Sequence, residues 1–396
     1  MKNIYYIIYT ATIIILVAQG CKKPYLPKIV AVSSNYLVVE GIINTGSDST
    51  SIRLSRTVPL SSTAQVKPEL GATITVLTDA GGNYPLSPTG NGYYTGAGLN
   101  LNSSAKYGLK IVTSDGKVYQ SDFVPSKDSP PIDSVYYRVQ SDGVKIYADT
   151  HDPSNGTKYY RWDYKETYEI HSAFYSYVYF TQIPFDTVLN RSPSNQIYSC
   201  WLNNTSSDII LNSSAKLTKD VIANNQVTSI ISTSEKIRVR YSILVKQYAL
   251  TADAFHYYEQ LRKNTEQLGS IFDAQPSELP GNIHCITNPG ETVIGYLTAG
   301  SPAQSRVFID NSHLPAWRAS TPYDECMMDT VLFKKPVGAT LVNEVQLYIY
   351  TGELMPIFAI VPPGSTKVVG YAASSPECVD CTLRGSNKQP DFWTNQ

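Results

Sequence analysis

The sequence predicts a mainly β protein built as two successive β-sandwiches, the second larger and carrying one inserted amphipathic helix. Three observations lead there. Tyrosine is heavily used, 30 Tyr against 10 Phe, and its ring suits strands and positions with one dry and one wet end. Short apolar–polar alternations recur between turns rich in Gly, Asn and Asp. A single long segment repeats instead at spacings of three and four.

Residues 35–124 read as the first sandwich. "NYLVVEGIIN" and "SIRLSRT" form two strands around the polar turn "TGSDST". "ATITVLTDAGGNYPL" is a strand, a turn at Ala80-Gly81-Gly82-Asn83 and a return strand. "GYYTG" leads to "LNSSAKYGLKIVTSDGKVYQSDF", whose Asp115-Gly116 sits between apolar runs and signals a hairpin. Leu101, six residues before Tyr107, matches the tyrosine corner of immunoglobulin-type sandwiches, where the phenol returns to the backbone. The first domain is therefore expected to be an immunoglobulin-like β-sandwich.

"VPSKDSPPIDSV" supplies the linker, residues 125–134, because Pro130-Pro131 cannot continue a central strand. Residues 135–396 form the second domain. It opens on a hairpin around Asp142-Gly143 and runs into "YYRWDYKETYEIHSAFYSYVYF". Tyr160, Trp162 and Tyr164 alternate and share one strand face, as do Tyr175, Tyr177 and Tyr179 on an expected partner strand. Trp162, Tyr164, Tyr175, Tyr177 and Tyr179 are thus candidate contacts for a glycan, a peptide or a partner. Packing on the inner face of the sandwich is the favoured alternative. Lys236 to Tyr248 alternates as a long strand, and the helix follows over 251–268. Thr251 is placed to cap it, Asp253 suits its first turn, and Phe255, Tyr258, Leu261, Thr265 and Leu268 give one packing face before Gly269 ends it. "ETVIGYLTAGSPAQSRVFI" adds a strand pair.

The N-terminus predicts the compartment. Residues 1–20 carry one positive charge at Lys2, an apolar run and the small or polar end Ala18-Gln19-Gly20, the pattern of a secretory signal. The run is short of the about 20 residues a span needs. Cys21 directly after Gly20 resembles a bacterial lipobox, in which the thiol becomes a lipidated N-terminus. With about 0.8 kcal/mol for each buried CH₂, several acyl chains would hold the chain on a bilayer, and residues 21–34 would serve as a flexible tether. Such export implies an oxidising environment. Cys200, Cys285, Cys326, Cys378 and Cys381 then remain as disulfide candidates, an odd count that leaves at least one unpaired and several connectivities open. Cys378 and Cys381 form a CxxC, but no second CxxC supplies zinc ligands, and the setting of a thioredoxin-type pair is missing. A structural staple is preferred, joining Cys326 to one of the terminal pair and clamping the tail.

Chemistry is sparsely signalled. Charged residues are 16% of the chain, and losing Lys2 with the signal takes the formal charge from −1 to −2. That excludes the basic stripe of a nucleic-acid binder. There is no GxSxG elbow, HExxH pair or phosphate loop. His151, His171, His256, His284 and His313 lack ligand spacing, and His151-Asp152 reads as a solvated turn. No metal or other cofactor is expected. Asp163, Glu166 and Glu169 lie near the aromatic strand and are the carboxylates a hydrolase would recruit, a reading ranked last.

The blocks "YLVVEGIINTG…SIRLSRT", "YYRWDYKETYEIHS", "YSILVKQYALTADAFHYYEQLRKNTEQLGSIFDAQPSELPGNIHCITNP" and "CVDCTLRGSNKQPDFW" resemble the Bacteroidota lipoprotein family catalogued as domain of unknown function 4249, over nearly the whole mature chain. The resemblance implies an outer-membrane lipoprotein that is a non-enzymatic accessory or ligand-capture partner of a TonB-dependent receptor. A stand-alone glycan- or peptide-binding lipoprotein is the alternative. Lys22-Lys23 after the cysteine departs from the acidic residues common on surface-exposed relatives, which leaves the membrane face open.

Overall fold

The computed structural model describes residues 35–58, 66–183, 186–266, 279 and 281–393. The expected signal peptide, Cys21 and the tether lie outside these residues, as do Leu268 and Gly269. The described chain is mainly β, as the alternation predicts.

The first sandwich contains β1 (Leu37–Ile42), β2 (Thr50–Arg56), β3 (Lys67–Pro68), β4 (Thr73–Thr78), β5 (Asn83–Gly90), β6 (Tyr93–Gly96), β7 (Lys106–Val112), β8 (Val118–Ser121) and β9 (Val124–Pro125). The first half of β5 pairs with β4 and the second half with β6, so the sheet turns a corner there. Ile52, Leu54, Ile74, Val76, Leu109 and Ile111 alternate inward and form the core. The tyrosine corner is present: the Tyr107 hydroxyl donates to the Asn102 carbonyl at 2.5 Å.

The second sandwich begins with β10 (Ile132–Gln140), β11 (Gly143–His151) and β12 (Tyr159–His171). Gly143 closes the first hairpin with φ +149°, and a Cβ there would meet the Ile230 carbonyl oxygen at 2.1 Å. The chain continues through β13 (Val178–Thr181), β14 (Thr187–Asn190), β15 (Ser199–Thr205), β16 (Ile210–Ser213), β17 (Val221–Ile231) and β18 (Arg240–Leu250). Helix α1 (Ala252–Glu266) follows, then β19 (Ile283–Cys285), β20 (Val293–Ile294) and β21 (Ala303–Asp310). A three-stranded sheet, β10-β11-β17, faces a second sheet ordered β15-β12-β18-β21. Tyr160, Trp162 and Tyr164 pack between them. The Thr251 hydroxyl accepts from the Ala254 N–H at the start of α1, as expected of a cap. The packing face is shorter than the spacing predicts, because Ala254, Phe255, Tyr257 and Tyr258 pack while Thr265 is exposed.

Two expectations are corrected. The strand pair within "ETVIGYLTAGSPAQSRVFI" splits: β20 pairs in parallel with β1, whereas β21 pairs with β18. With β19 on β8, residues 283–294 supply both ends of the first sheet, so residues 35–124 do not complete their own sandwich. Open edges are liabilities, and a late segment covers both. Next, β13 pairs with β14 rather than with β12, whose partners are β15, β16 and β18.

A third unit lies beyond the sandwiches. It contains β22 (Asp329–Leu332), the hairpin β23 (Lys335–Val337) and β24 (Thr340–Val342), β25 (Met355–Ile360) and β26 (Gly370–Ser374), followed by the short α2 (Pro376–Val379). Val178, Val331, Val345, Ile349 and Tyr371 form its core, so the β13–β14 hairpin belongs to it. Two disulfides tie it down, Cys200–Cys381 and Cys326–Cys378, with Cα separations of 5.8 and 5.7 Å. The second matches the preferred staple, and among the described residues Cys285 is the free, buried thiol.

The late segment is also held by charge. Lys117 Nζ and the Tyr119 hydroxyl donate to Glu291 at 2.7 and 2.6 Å, and the Arg56 guanidinium lies 3.6 Å away. Burial works against the Glu291 anion, but these donors outweigh it and hold its pKa below the usual carboxylate value. A depressed carboxylate stabilises the fold above its unfolded pKa, here 4.5, and that contribution fades as pH falls through the folded value. Glu291→Gln is therefore expected to lower the urea midpoint at neutral pH, with the gap to the native chain closing as pH falls below 4.5 and through the depressed folded value. A gap independent of pH would refute the assignment.

Candidate binding surface

Strand β12 decides which aromatic rings can meet a ligand. Its even-numbered side chains point between the sheets. Trp162 is 0% exposed and donates its Nε1–H to Gln247 Oε1 at 3.1 Å. The Gln247 amide in turn donates to the Pro130 carbonyl and to the Ser129 and Thr150 hydroxyls. Tyr164 is buried as well, its hydroxyl sharing a hydrogen bond with Thr228. Trp162 and Tyr164 thus leave the set of candidate contacts: a large ring on the inner face of a sandwich is worth more as packing than as display.

The stretch Tyr175 to Tyr179 behaves oppositely. Ser176 is buried and donates to the Val178 and Pro356 carbonyls, while Val178 enters the core of the third unit. The alternation turns the odd positions outward. Tyr175 is 40% and Tyr177 60% exposed, and Tyr179 is half-buried beneath Arg191. Tyr175 touches Tyr177 with ring centroids 4.8 Å apart and Tyr198 at 5.4 Å; Tyr198 stacks on His171 at 4.6 Å. The result is a ridge of four rings. At one end the His171 Nε2 lies 2.9 Å from the Glu169 carboxylate. At the other the Arg191 guanidinium sits 5.6 Å over the Tyr179 ring, with Nη1 donating to the Asn195 carbonyl. Burial draws the Arg191 pKa down, and its Nε has no hydrogen-bond partner among the described residues.

Sequence reading found Tyr175, Tyr177 and Tyr179 but missed Tyr198, His171 and Arg191 as parts of one surface. His171 ends the aromatic strand and was accessible to pattern. Tyr198 was not: it arrives only because β15 pairs with β12 so that Ser199 faces His171. Arg191 arrives because its N–H donates to the Tyr177 carbonyl at 2.7 Å after the β13–β14 turn.

The three carboxylates of the hydrolase reading do not converge. Asp163 and Glu169, six residues apart on one strand, are about 20 Å apart, against the roughly 5–10 Å a glycosidase pair needs. Glu166 points to the other face, where it is buried and accepts from Lys236, the Tyr241 hydroxyl and Asn204. Asp152 accepts from the N–H groups of Ser154, Gly156 and Thr157, which closes its own turn; against the cost of burial, the Ser154 hydroxyl and the Ser154 and Thr157 N–H groups hold its pKa at about 2. No group of three or more His, Cys, Asp or Glu side chains with metal-binding geometry occurs among the described residues.

The third unit also exposes much apolar surface. Ile183 is 82% exposed, Met327 77% and Leu341 65%, and Met328, Val337, Leu347 and Phe358 are exposed too.

Core and surface rings separate in a stability measurement. Trp162→Ala is expected to cost about 3–5 kcal/mol, whereas Tyr177→Ala should stay within about 0.5 kcal/mol of the native chain. Chemical denaturation followed by fluorescence checks both, and equal losses would overturn the division.

Comparison with solved structures gives similarity to a two-domain fibronectin type III segment of chicken tenascin, at 11% identity over 55% of this chain and 91% of that one, with a TM-score of 0.16. The chicken CNTN1 FN1-FN3 domains are similar at 15% identity over 54% of this chain and 62% of that one, also with a TM-score of 0.16. Superposition this poor carries no argument, and the sandwich architecture rests on the strand pairing above. No curated protein matches the chain. A family model does, over residues 22–306, and the chain belongs to that family, the domain of unknown function DUF4249.

Proposed function

We propose that this protein is an outer-membrane lipoprotein, anchored through acyl chains on Cys21, that acts without chemistry of its own as an accessory and ligand-capture partner of a TonB-dependent transporter. The observation that carries this reading is the oxidised state of the terminal cysteine pair. Cys378 and Cys381 do not bond each other; Cys378 reaches Cys326, and Cys381 reaches Cys200 in the core of the second sandwich. Disulfides that join elements 52 and 181 residues apart belong to an oxidising compartment. That agrees with the export signal and lipobox at 1–21. The exposed apolar side chains of the third unit favour docking on a partner, and tethering both molecules to one membrane raises their effective concentration for each other. The aromatic ridge favours ligand capture as part of the same role.

Mass spectrometry of the native N-terminus is expected to find a lipid-modified Cys21, and Cys21→Ser should release the chain from membranes. Purification in mild detergent should bring a large β-barrel protein with it. An unmodified Cys21 thiol together with purification free of any barrel would refute the proposal.

A further inference from the structure

We propose that the ridge Tyr177–Tyr175–Tyr198–His171, with Arg191 at its flank, is a binding site for an acidic saccharide chain. The inference assigns a ligand class and rests on the capture half of the function proposed above. It does not depend on the membrane anchor.

The argument begins with what the ridge cannot do. Peptide recognition by strand addition needs unpaired backbone groups on a sheet edge. On two of its three tyrosines both groups are engaged: the Tyr177 N–H donates to the Ile357 carbonyl and the Tyr177 carbonyl accepts from the Arg191 N–H, each at 2.7 Å, while the Tyr198 N–H donates to Gln196 Oε1 at 2.8 Å and the Tyr198 carbonyl accepts from the Ser172 N–H at 2.9 Å, so no continuous strand edge is open. A ligand here is read by side chains. The rings of Tyr175, Tyr177 and Tyr198 are inclined to their neighbours by 52° and 53°, so successive ring faces turn as the ridge advances. A rigid chain of sugar rings turns from unit to unit and presents C–H faces in succession. Aromatic faces are electronegative and attract such C–H groups. The Glu169–His171 pair at one end adds an acceptor and a ring nitrogen suited to hydroxyl groups.

Arg191 sets the charge preference. Its backbone is fixed by the N–H bond to the Tyr177 carbonyl, and its side chain by the Tyr179 ring beneath it and by the Nη1 bond to the Asn195 carbonyl. Its Nε is buried and Nη1 donates to the Asn195 carbonyl, so Nη2 is the amino group left for a ligand, with the Asp380 carboxylate acting on the charge at longer range than an ion pair. A guanidinium paired with a carboxylate or sulfate forms short, charge-assisted hydrogen bonds. Neutral sugars would stack on the rings but leave this group unused.

Isothermal titration of the purified full chain against an array of uronate-, sialate- and sulfate-bearing oligosaccharides, their neutral counterparts and proline-rich peptides tests the proposal. At least one acidic oligosaccharide is expected to bind in a salt-sensitive manner, and more tightly than its neutral counterpart. Tyr175→Ala and Tyr177→Ala should each weaken it about tenfold, while Tyr177→Phe, which keeps the ring face, should bind within about twofold of the native chain. Arg191→Gln should remove the preference for the acidic member without abolishing neutral binding. Binding only to peptides, binding to no acidic saccharide, or binding unchanged in the Tyr175 and Tyr177 variants would overturn it. The same variants are expected to retain the barrel in detergent pull-downs, so a missing saccharide and a missing receptor are distinguishable failures.

Discussion

The paired crossings between the two sandwiches hold the architecture together. The chain leaves the first sandwich through residues 125–131 and, after α1, returns to it and departs again through 295–302. The two passages run side by side. Lys127 N–H donates to the Ala299 carbonyl and Ser129 N–H to the Ser301 carbonyl, at 2.8 and 2.9 Å. The Asp128 carboxylate gathers Thr45 and both donors of Ser301. At Gly300 a Cβ would stand 1.9 Å from the Lys127 carbonyl oxygen, so only glycine permits the approach. The segment read as the linker is therefore a structural joint. Because the first sheet receives its end strands from residues inserted between β18 and β21, the first sandwich does not complete itself alone, and its folding is coupled to the second through the connectivity.

The same economy explains the aromatic strand. Gln247 sits at 0% exposure with all its amide groups engaged, joining Trp162 to the Pro130 carbonyl and so fastening the joint to the second core. Unpaired, that amide would destabilise the interior; paired on both ends, it makes the position of the joint specific. Tyrosines on the opposite face have another use. Arg161 lies between the rings of Tyr248 and Tyr258, which seats α1 on the sheet. Arg240 lies against Phe308 and Trp393, which folds the C-terminal tail back over the same face. Bidentate pairing of Arg384 with Glu235 and the two disulfides complete the clamp.

With so many rings committed to packing, those left in water stand out. The ridge and the exposed apolar side chains both belong to, or border, the third unit, at the far end of the polypeptide from the expected tether. The acidic side chains near the aromatic strand are consumed by local pairing or separated by the strand's own length.

Local pattern determined a good deal by itself. Alternation marked β2, β7, β12 and β18; Asp-Gly placed the hairpins; Leu101 and Tyr107 marked the corner; Thr251 marked the start of α1. Each depends on residues close in sequence, whose geometry is set by backbone stereochemistry. The preference for a staple at Cys326 also followed from residue types and compartment. Tertiary structure decided what depends on distant partners: which face of β12 is dry, which cysteine Cys378 takes, and that 283–294 closes the first sheet rather than the second. It also decided that Tyr198 and Arg191 join Tyr175 and Tyr177. Strand pairing between remote segments is chosen by the total burial it allows, and no local spacing encodes that sum.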